Sequence, residues 1–126
     1  MKGLLIKSPW IELIFQGKKT WEIRGSNTSI RGKVALIKSG TSHIFGTVDV
    51  VDSKRLTIDE YEKSEQFHCI SGNNTFQAPY KRIHAWVLEN PQRFKEPVPY
   101  QHPQGAVIWV NFKDMKEEAR CYLMKR

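Results

Sequence analysis

The stretch Gly17-Lys18-Lys19-Thr20-Trp21-Glu22-Ile23-Arg24 gathers two ammonium groups, a carboxylate and a guanidinium into one short run of chain. The pattern predicts a helix end delivering Lys18 and Lys19 into a turn. A strand of period two follows, with Trp21 and Ile23 on one face and Thr20, Glu22 and Arg24 on the other. A cation, a carboxylate and a planar guanidinium fork on one surface can hold a polar ligand from several sides, and the fork suits a phosphate or a base edge. The same residues would also make an ordinary ion-pair ladder between neighbouring strands; the local pattern leaves both open. For catalysis the influences on Lys19 oppose each other. Lys18 beside it favours the free amine that a base or nucleophile needs, and Glu22 favours the ammonium.

Other chemistry-bearing residues are sparser. His43, His68, His84 and His102 lack any metal-ligand spacing, and no metal or other cofactor is expected. His68, near a predicted helix end, is either a proton shuttle in a cleft or a solvated or capping residue. Cys69 and Cys121 are far apart and outside any CxxC spacing, which predicts two buried thiols rather than a disulfide framework or a zinc site. Tyr80-Lys81-Arg82 places an aromatic ring beside two cations at a loop end, an arrangement that suits a stacked base with a phosphate and is also common on surfaces. Gly25-Ser26-Asn27-Thr28-Ser29 lacks the glycine spacing and following helix of a triphosphate loop.

The charge is uneven. The net charge is +7 and the isoelectric point about 9.5. Residues 1–55 carry ten Lys and Arg against four Asp and Glu, whereas the remainder carries ten against nine. A basic half followed by a near-neutral half fits a one-sided surface for a polyanion. At 126 residues and 40% hydrophobic content the chain has room for one domain with a core. One domain over 1–126 is therefore expected, with its core at about 4–112 and a helix or tail at 113–126. No apolar run approaches the ~20 residues that cross a bilayer, and Met1–Lys7 is too short in apolar residues for a signal peptide, so a cytoplasmic, non-membrane protein is expected.

The elements that must position these residues read as follows. Leu4-Leu5-Ile6 is a short buried strand, ended by Ser8-Pro9, with Ser8 expected to cap a helix over Trp10–Phe15 that Gly17 closes. Strands are expected at Thr20–Arg24, Val34–Ile37, Ile44–Val51, His84–Leu88 (stopped by Asn90-Pro91) and Ala106–Phe112, with Pro97 and Pro99 at an edge or bulge. Thr57-Ile58-Asp59-Glu60 is a capping-box signature opening a helix to about His68. The tryptophans Trp10, Trp21, Trp86 and Trp109 fall on elements read as buried. Six or so strands without a βαβ rhythm predict an α+β, mainly β fold: a small, mostly antiparallel β-barrel with two or three peripheral helices.

The motifs together bear a family resemblance. Ser8-Pro9-Trp10 entering a helix, followed by G-x-K-x-x-E-x-R at Gly17, Lys19, Glu22 and Arg24, resembles the ASCH domain signature. Arg31-Gly32 before Val34–Ile37, Ser39-Gly40 after it and Gly46-Thr47-Val48 opening the next strand match in order. The resemblance covers roughly Leu4 to Phe112 and implies a PUA-like barrel with the Lys/Glu/Arg set near a ligand cleft. Members are associated with RNA. One branch resembles an amidohydrolase that deacetylates acetylated cytidine, and another has been assigned ribonuclease activity. The deacetylating branch has a threonine three residues after its lysine, and here that place is Glu22; Glu65 is only a candidate for its later glutamate.

The leading expectation is RNA or modified-nucleobase binding through a basic cleft. Lys19, Glu22 and Arg24 are expected in the cleft with Arg31, Lys33 and Lys38 along its approach, and Lys18, Ser39, Tyr80, Lys81 and Arg82 as further ligand or RNA contacts. The alternatives are an amidohydrolase acting on an acylated cytidine or a ribonuclease, with Lys19 and Glu22 as catalytic residues, and a protein-interaction adaptor. A monomer is expected.

Overall fold

A computed structural model describes residues 1–71 and 81–112. Six strands and three short helices follow in the order β1 (Lys2–Ile6), α1 (Trp10–Phe15), β2 (Trp21–Arg24), β3 (Gly32–Lys38), β4 (His43–Leu56), α2 (Ile58–Glu62), α3 (Glu65–His68), β5 (Ile83–Pro99) and β6 (Trp109–Asn111). The hydrogen-bonded order is β2-β5-β4-β3-β1-β6, and the ladder does not close. Every pairing is antiparallel except β1 with β3. The fold is thus α+β and mainly β.

The sheet nevertheless curls back on itself. In a flat sheet β2 and β1 would stand four strand spacings apart, roughly 19 Å. Here the Arg24 guanidinium on β2 donates to the Leu5 carbonyl on β1 at 2.8 Å. Trp86 on β5 also stacks on Trp109 of β6 with ring centroids 5.5 Å apart. Side chains, not backbone bonds, bridge the seam.

The strong alternation read in the sequence sorts side chains onto two faces. Leu4, Ile6, Val34, Leu36, Val48, Val50, Trp86 and Leu88 pack inward with Ile11 and Ile14 of α1. On the other face of β2 and β5, Ile23, Ala85 and Ile83 meet Leu56 and Tyr61, and Trp21 packs at that cluster's border. Trp21 is half-buried rather than buried, stacked on Phe67 of α3 and covered by the Lys54 ammonium. Trp10 and Trp109 are likewise half-buried, and Trp86 alone of the four is fully covered.

Several local expectations need correction. Ser8 does not cap α1; its hydroxyl donates instead to the Glu12 carboxylate at 2.5 Å, and Pro9 holds the N-cap position. Gly17 does close the helix, at φ +78°. The Thr57/Glu60 capping box forms, but its helix stops at Glu62 and a separate turn, α3, carries Glu65–His68. Asn90-Pro91 does not end β5. Thr47 pairs with Gln92 and Asp49 with Glu89, so Asn90 (φ +53°) and Pro91 bulge opposite Val48 and the strand continues. Gly46 pairs with Arg93 and Ile44 with Val98, so Pro97 lies in a second bulge, as its missing N–H requires. The last strand is only Trp109–Asn111, with Val107 and Ile108 exposed before it. Cys69 is half-buried in a left-handed C-cap. Tyr80, Cys121 and the helix or tail at 113–126 lie outside the described residues. Among the described residues no helix is long and apolar enough to cross a membrane.

Candidate functional site

The geometry around Lys19 begins with the end of α1. After the left-handed Gly17, the amides of Lys18 and Lys19 both donate to the Leu13 carbonyl, at 3.0 and 3.1 Å. This tight wrap turns the Lys18 side chain out to solvent and drives that of Lys19 inward, where the residue is only 2% exposed. The Thr20 amide then donates to the Phe67 carbonyl, and the Thr20 carbonyl accepts from the Leu88 amide, which ties β2 to both α3 and β5.

A buried ammonium is costly unless it is paired and hydrogen-bonded. Lys19 Nζ donates to the His68 carbonyl at 2.6 Å, lies 3.7 Å from Glu22 Oε1 and sits 5.1 Å from the centre of the Trp10 ring. Burial pushes its pKa below the lysine value of 10.5, and the Glu22 carboxylate partly opposes that shift. Glu22 in turn accepts from Arg24 Nε through Oε2 at 2.8 Å. The Arg24 guanidinium lies 5.6 Å from the Trp86 ring centre while its Nη2 reaches the Leu5 carbonyl. Glu22 thus stands between two cations in one row.

His68 is structural. The Ile70 amide donates to its Nδ1 at 2.9 Å, so Nε2 carries the hydrogen and donates to the Tyr61 carbonyl at 2.7 Å. Stacked on Tyr61 at 4.4 Å and fully buried, it has its pKa lowered, mainly by burial. Both ring nitrogens are occupied, so the ring is not placed as a proton shuttle. Its carbonyl, which holds Lys19, is its link to the site.

Lys19, Glu22, Arg24 and Ser39 line a cleft of about 320 Å³, joined by Lys7 and Trp10 and bordered by the exposed Val107. Its volume is at the small end of ligand pockets. Among the residues singled out from sequence, these four are brought together. Lys38 stands beside the cleft at the end of β3, 3.4 Å from Glu12. Arg31 is engaged elsewhere, on the Thr28 and Ile30 carbonyls and 3.9 Å from Asp52. Lys18, Lys33, Lys81 and Arg82 are exposed and do not line the cleft. Glu65 is also exposed and outside it. Lys7 and Val107 carried no motif signal, and Trp10 stood in the Ser8-Pro9-Trp10 motif without being read as a site residue; only the fold brings β1, α1 and the loop before β6 to one mouth. Among the described residues no group of His, Cys, Asp or Glu could hold a metal ion.

The ASCH domain family model matches residues 4–98 of the chain. The structure is similar to that of ASCH from Zymomonas mobilis, with a TM-score of 0.71 at 13% identity, covering 98% of this chain and 93% of that one. It is similarly close to two single-residue mutants of that protein. A serine-to-alanine form gives a TM-score of 0.70 at 13% identity, covering 98% and 94%. A tyrosine-to-phenylalanine form gives 0.71 at 13% identity, covering 98% and 96%. At that identity the likeness establishes the fold. No curated protein matches the chain in sequence.

Proposed function

The chain belongs to the ASCH domain family, and from that premise we propose that its cleft receives a nucleobase, carried by RNA or by a free modified nucleoside. The observation that carries this reading is the Lys19–Glu22–Arg24 row at the cleft wall. A guanidinium has five N–H donors. Arg24 spends one on Glu22 and one on Leu5, so the others remain for a ligand. Glu22 keeps lone pairs free beyond its contact with Arg24, and a glutamate accepts well from the exocyclic amino group of cytosine. A carboxylate flanked by cations therefore complements a base edge that presents an amino group beside a carbonyl oxygen. The Trp10 ring and Val107 add apolar surface at the same mouth, and the surplus positive charge favours a phosphate nearby.

The test is binding of cytidine, uridine and a short single-stranded RNA to the wild type and to Glu22→Gln. The reading expects cytidine to bind better than uridine. Glu22→Gln should weaken cytidine by about 1–3 kcal/mol, the range of a good base contact, and leave uridine little changed. RNA affinity should fall with salt at a log–log slope of about 0.7 per phosphate neutralised. Absence of binding by the wild type at low salt would remove this reading.

One observation favours a second reading, hydrolysis of an acylated cytidine. Lys19 is buried and has its proton affinity lowered, which brings its free amine closer to use as a base or nucleophile. Against it stands the short bond to the His68 carbonyl, which favours the ammonium.

A further inference from the structure

We infer that a second cationic surface, formed by Arg55 at the end of β4 and by Arg82 before β5, carries the phosphodiester backbone of single-stranded RNA out of the cleft. The inference rests on the reading of the cleft as a nucleobase site and extends it to the neighbouring nucleotides.

The register brings the cations together. Leu56 pairs with Ile83, Arg55 with His84 and Lys54 with Ala85, so Arg82 stands one residue beyond the last pair and opposite Thr57. His84 is also the partner of Arg24 on β2. Arg24, His84 and Arg55 therefore form one cross-strand row, at ~4.8 Å between neighbouring strands. The row begins at the cleft wall, because Arg24 lines it, and ends at an exposed arginine. Arg82, two residues before His84, continues the same face past the start of β5, at about 3.3 Å per residue.

Among the described residues no ion pair engages Arg55 or Arg82. The next carboxylates along the chain are already engaged: Asp59 holds Lys63 at 3.0 Å, and Glu60 closes the capping box on Thr57. Exposed cations without carboxylates suit a polyanionic strand. A folded acidic protein would find the same charge. The continuity with a cleft sized for one base favours a single strand.

The test pairs two double variants with the same loss of charge: Arg55→Gln/Arg82→Gln at the surface and Lys2→Gln/Lys95→Gln at exposed positions elsewhere. Binding of a mixed-sequence single-stranded RNA of about twelve nucleotides, within the span such sites cover, is measured across a salt series. Binding of ribonucleoside monophosphates is measured beside it, and thermal melts establish that each variant folds. The inference expects Arg55→Gln/Arg82→Gln to lower the log–log salt slope by about 1.4, at ~0.7 per phosphate. That variant should keep monophosphate binding, and the control double should keep the slope. An unchanged slope in Arg55→Gln/Arg82→Gln, or an equal fall in the control, overturns the inference while the cleft reading stands. Wild type that binds neither RNA nor monophosphate overturns both.

Discussion

Arg24 Nη2 donates to the Leu5 carbonyl at 2.8 Å, and this one side-chain bond spans the open seam of the sheet. β6 pairs with β1 only along Lys2–Leu4, and the Ile108 carbonyl takes the Leu5 amide. The Leu5 carbonyl faces the point where the last strand has run out, and an arginine from the first strand of the order completes it. Arg24 also holds Glu22, so the seam and the cleft share one residue.

Removing that residue should therefore loosen the fold and the site together. Arg24→Gln leaves the Glu22 carboxylate without its closest partner in a mostly buried setting, a change that costs about 3–5 kcal/mol when a buried pair is broken. Arg24→Lys keeps the charge but cannot meet Glu22 and Leu5 with the same two-pronged geometry, and should cost about 1–3 kcal/mol. Urea denaturation measures both. Equal stability of all three proteins would show that the seam does not depend on this bridge.

The period-two alternation at Trp21–Arg24 and the capping box at Thr57 were legible because each is a local pattern with a local cause. The membership of the cleft was legible in part: Lys19, Glu22 and Arg24 are close in sequence, and Ser39 came with the family resemblance. Lys7 and Val107 were not, and Trp10 was legible only as part of a motif and as core, since a residue's arrival at a shared mouth depends on the parallel β1/β3 pairing and the curl of the sheet. The length of β5 was misread at Asn90-Pro91 because a proline signals a missing donor. It does not say whether the strand ends or bulges past it, and the partner strand decides that.

Gly46 shows the same tertiary control over a small residue. A Cβ added there would stand 2.2 Å from the Gln92 carbonyl oxygen and 2.6 Å from the Phe15 ring, where β4 runs into the bulge of β5. Gly46→Ala should cost about 1–3 kcal/mol through overpacking. Gly40→Ala meets nothing within 4 Å and strains only its φ of +85°, for about 1–2 kcal/mol. Adding Phe15→Leu, which withdraws the ring, should recover part of the Gly46→Ala loss and none of the Gly40→Ala loss. Recovery in neither would place the Gly46 conflict wholly at the Gln92 backbone.

His68 predicts a pH dependence of stability. Its neutral form is required, because Nδ1 accepts from Ile70 and Nε2–H donates to Tyr61, and its folded pKa lies below the ordinary 6.5. The unfolded chain therefore binds the proton more readily, and stability rises with pH wherever the unfolded state holds more protons. The contribution is intact above about 6.5 and is lost progressively as pH falls from there toward the depressed folded value. Denaturation midpoints of the wild type should drop across that window, and His68→Asn, which cannot titrate, should show a shallower drop. Parallel curves for the two proteins would assign the pH dependence to other groups.

Lys19 separates binding from catalysis by the direction of its pH response. A ligand held by the ammonium needs Lys19 protonated, so affinity should fall as pH rises through the lowered pKa, at a pH below 10.5. Amide hydrolysis that uses the free amine as base or nucleophile has the opposite sign, and turnover should climb through the same pH range. Wild type and Lys19→Met are titrated with cytidine and offered an acetylated cytidine at each pH, with acetate release followed directly. Methionine keeps the length and apolar stem without the charge, so cytidine affinity should fall and lose its alkaline limb. Because the short bond to the His68 carbonyl and the nearby Glu22 both favour the ammonium, the expected result is a falling binding limb with no acetate released. Acetate release that rises with pH in wild type and is absent in Lys19→Met would assign the cleft to hydrolysis instead.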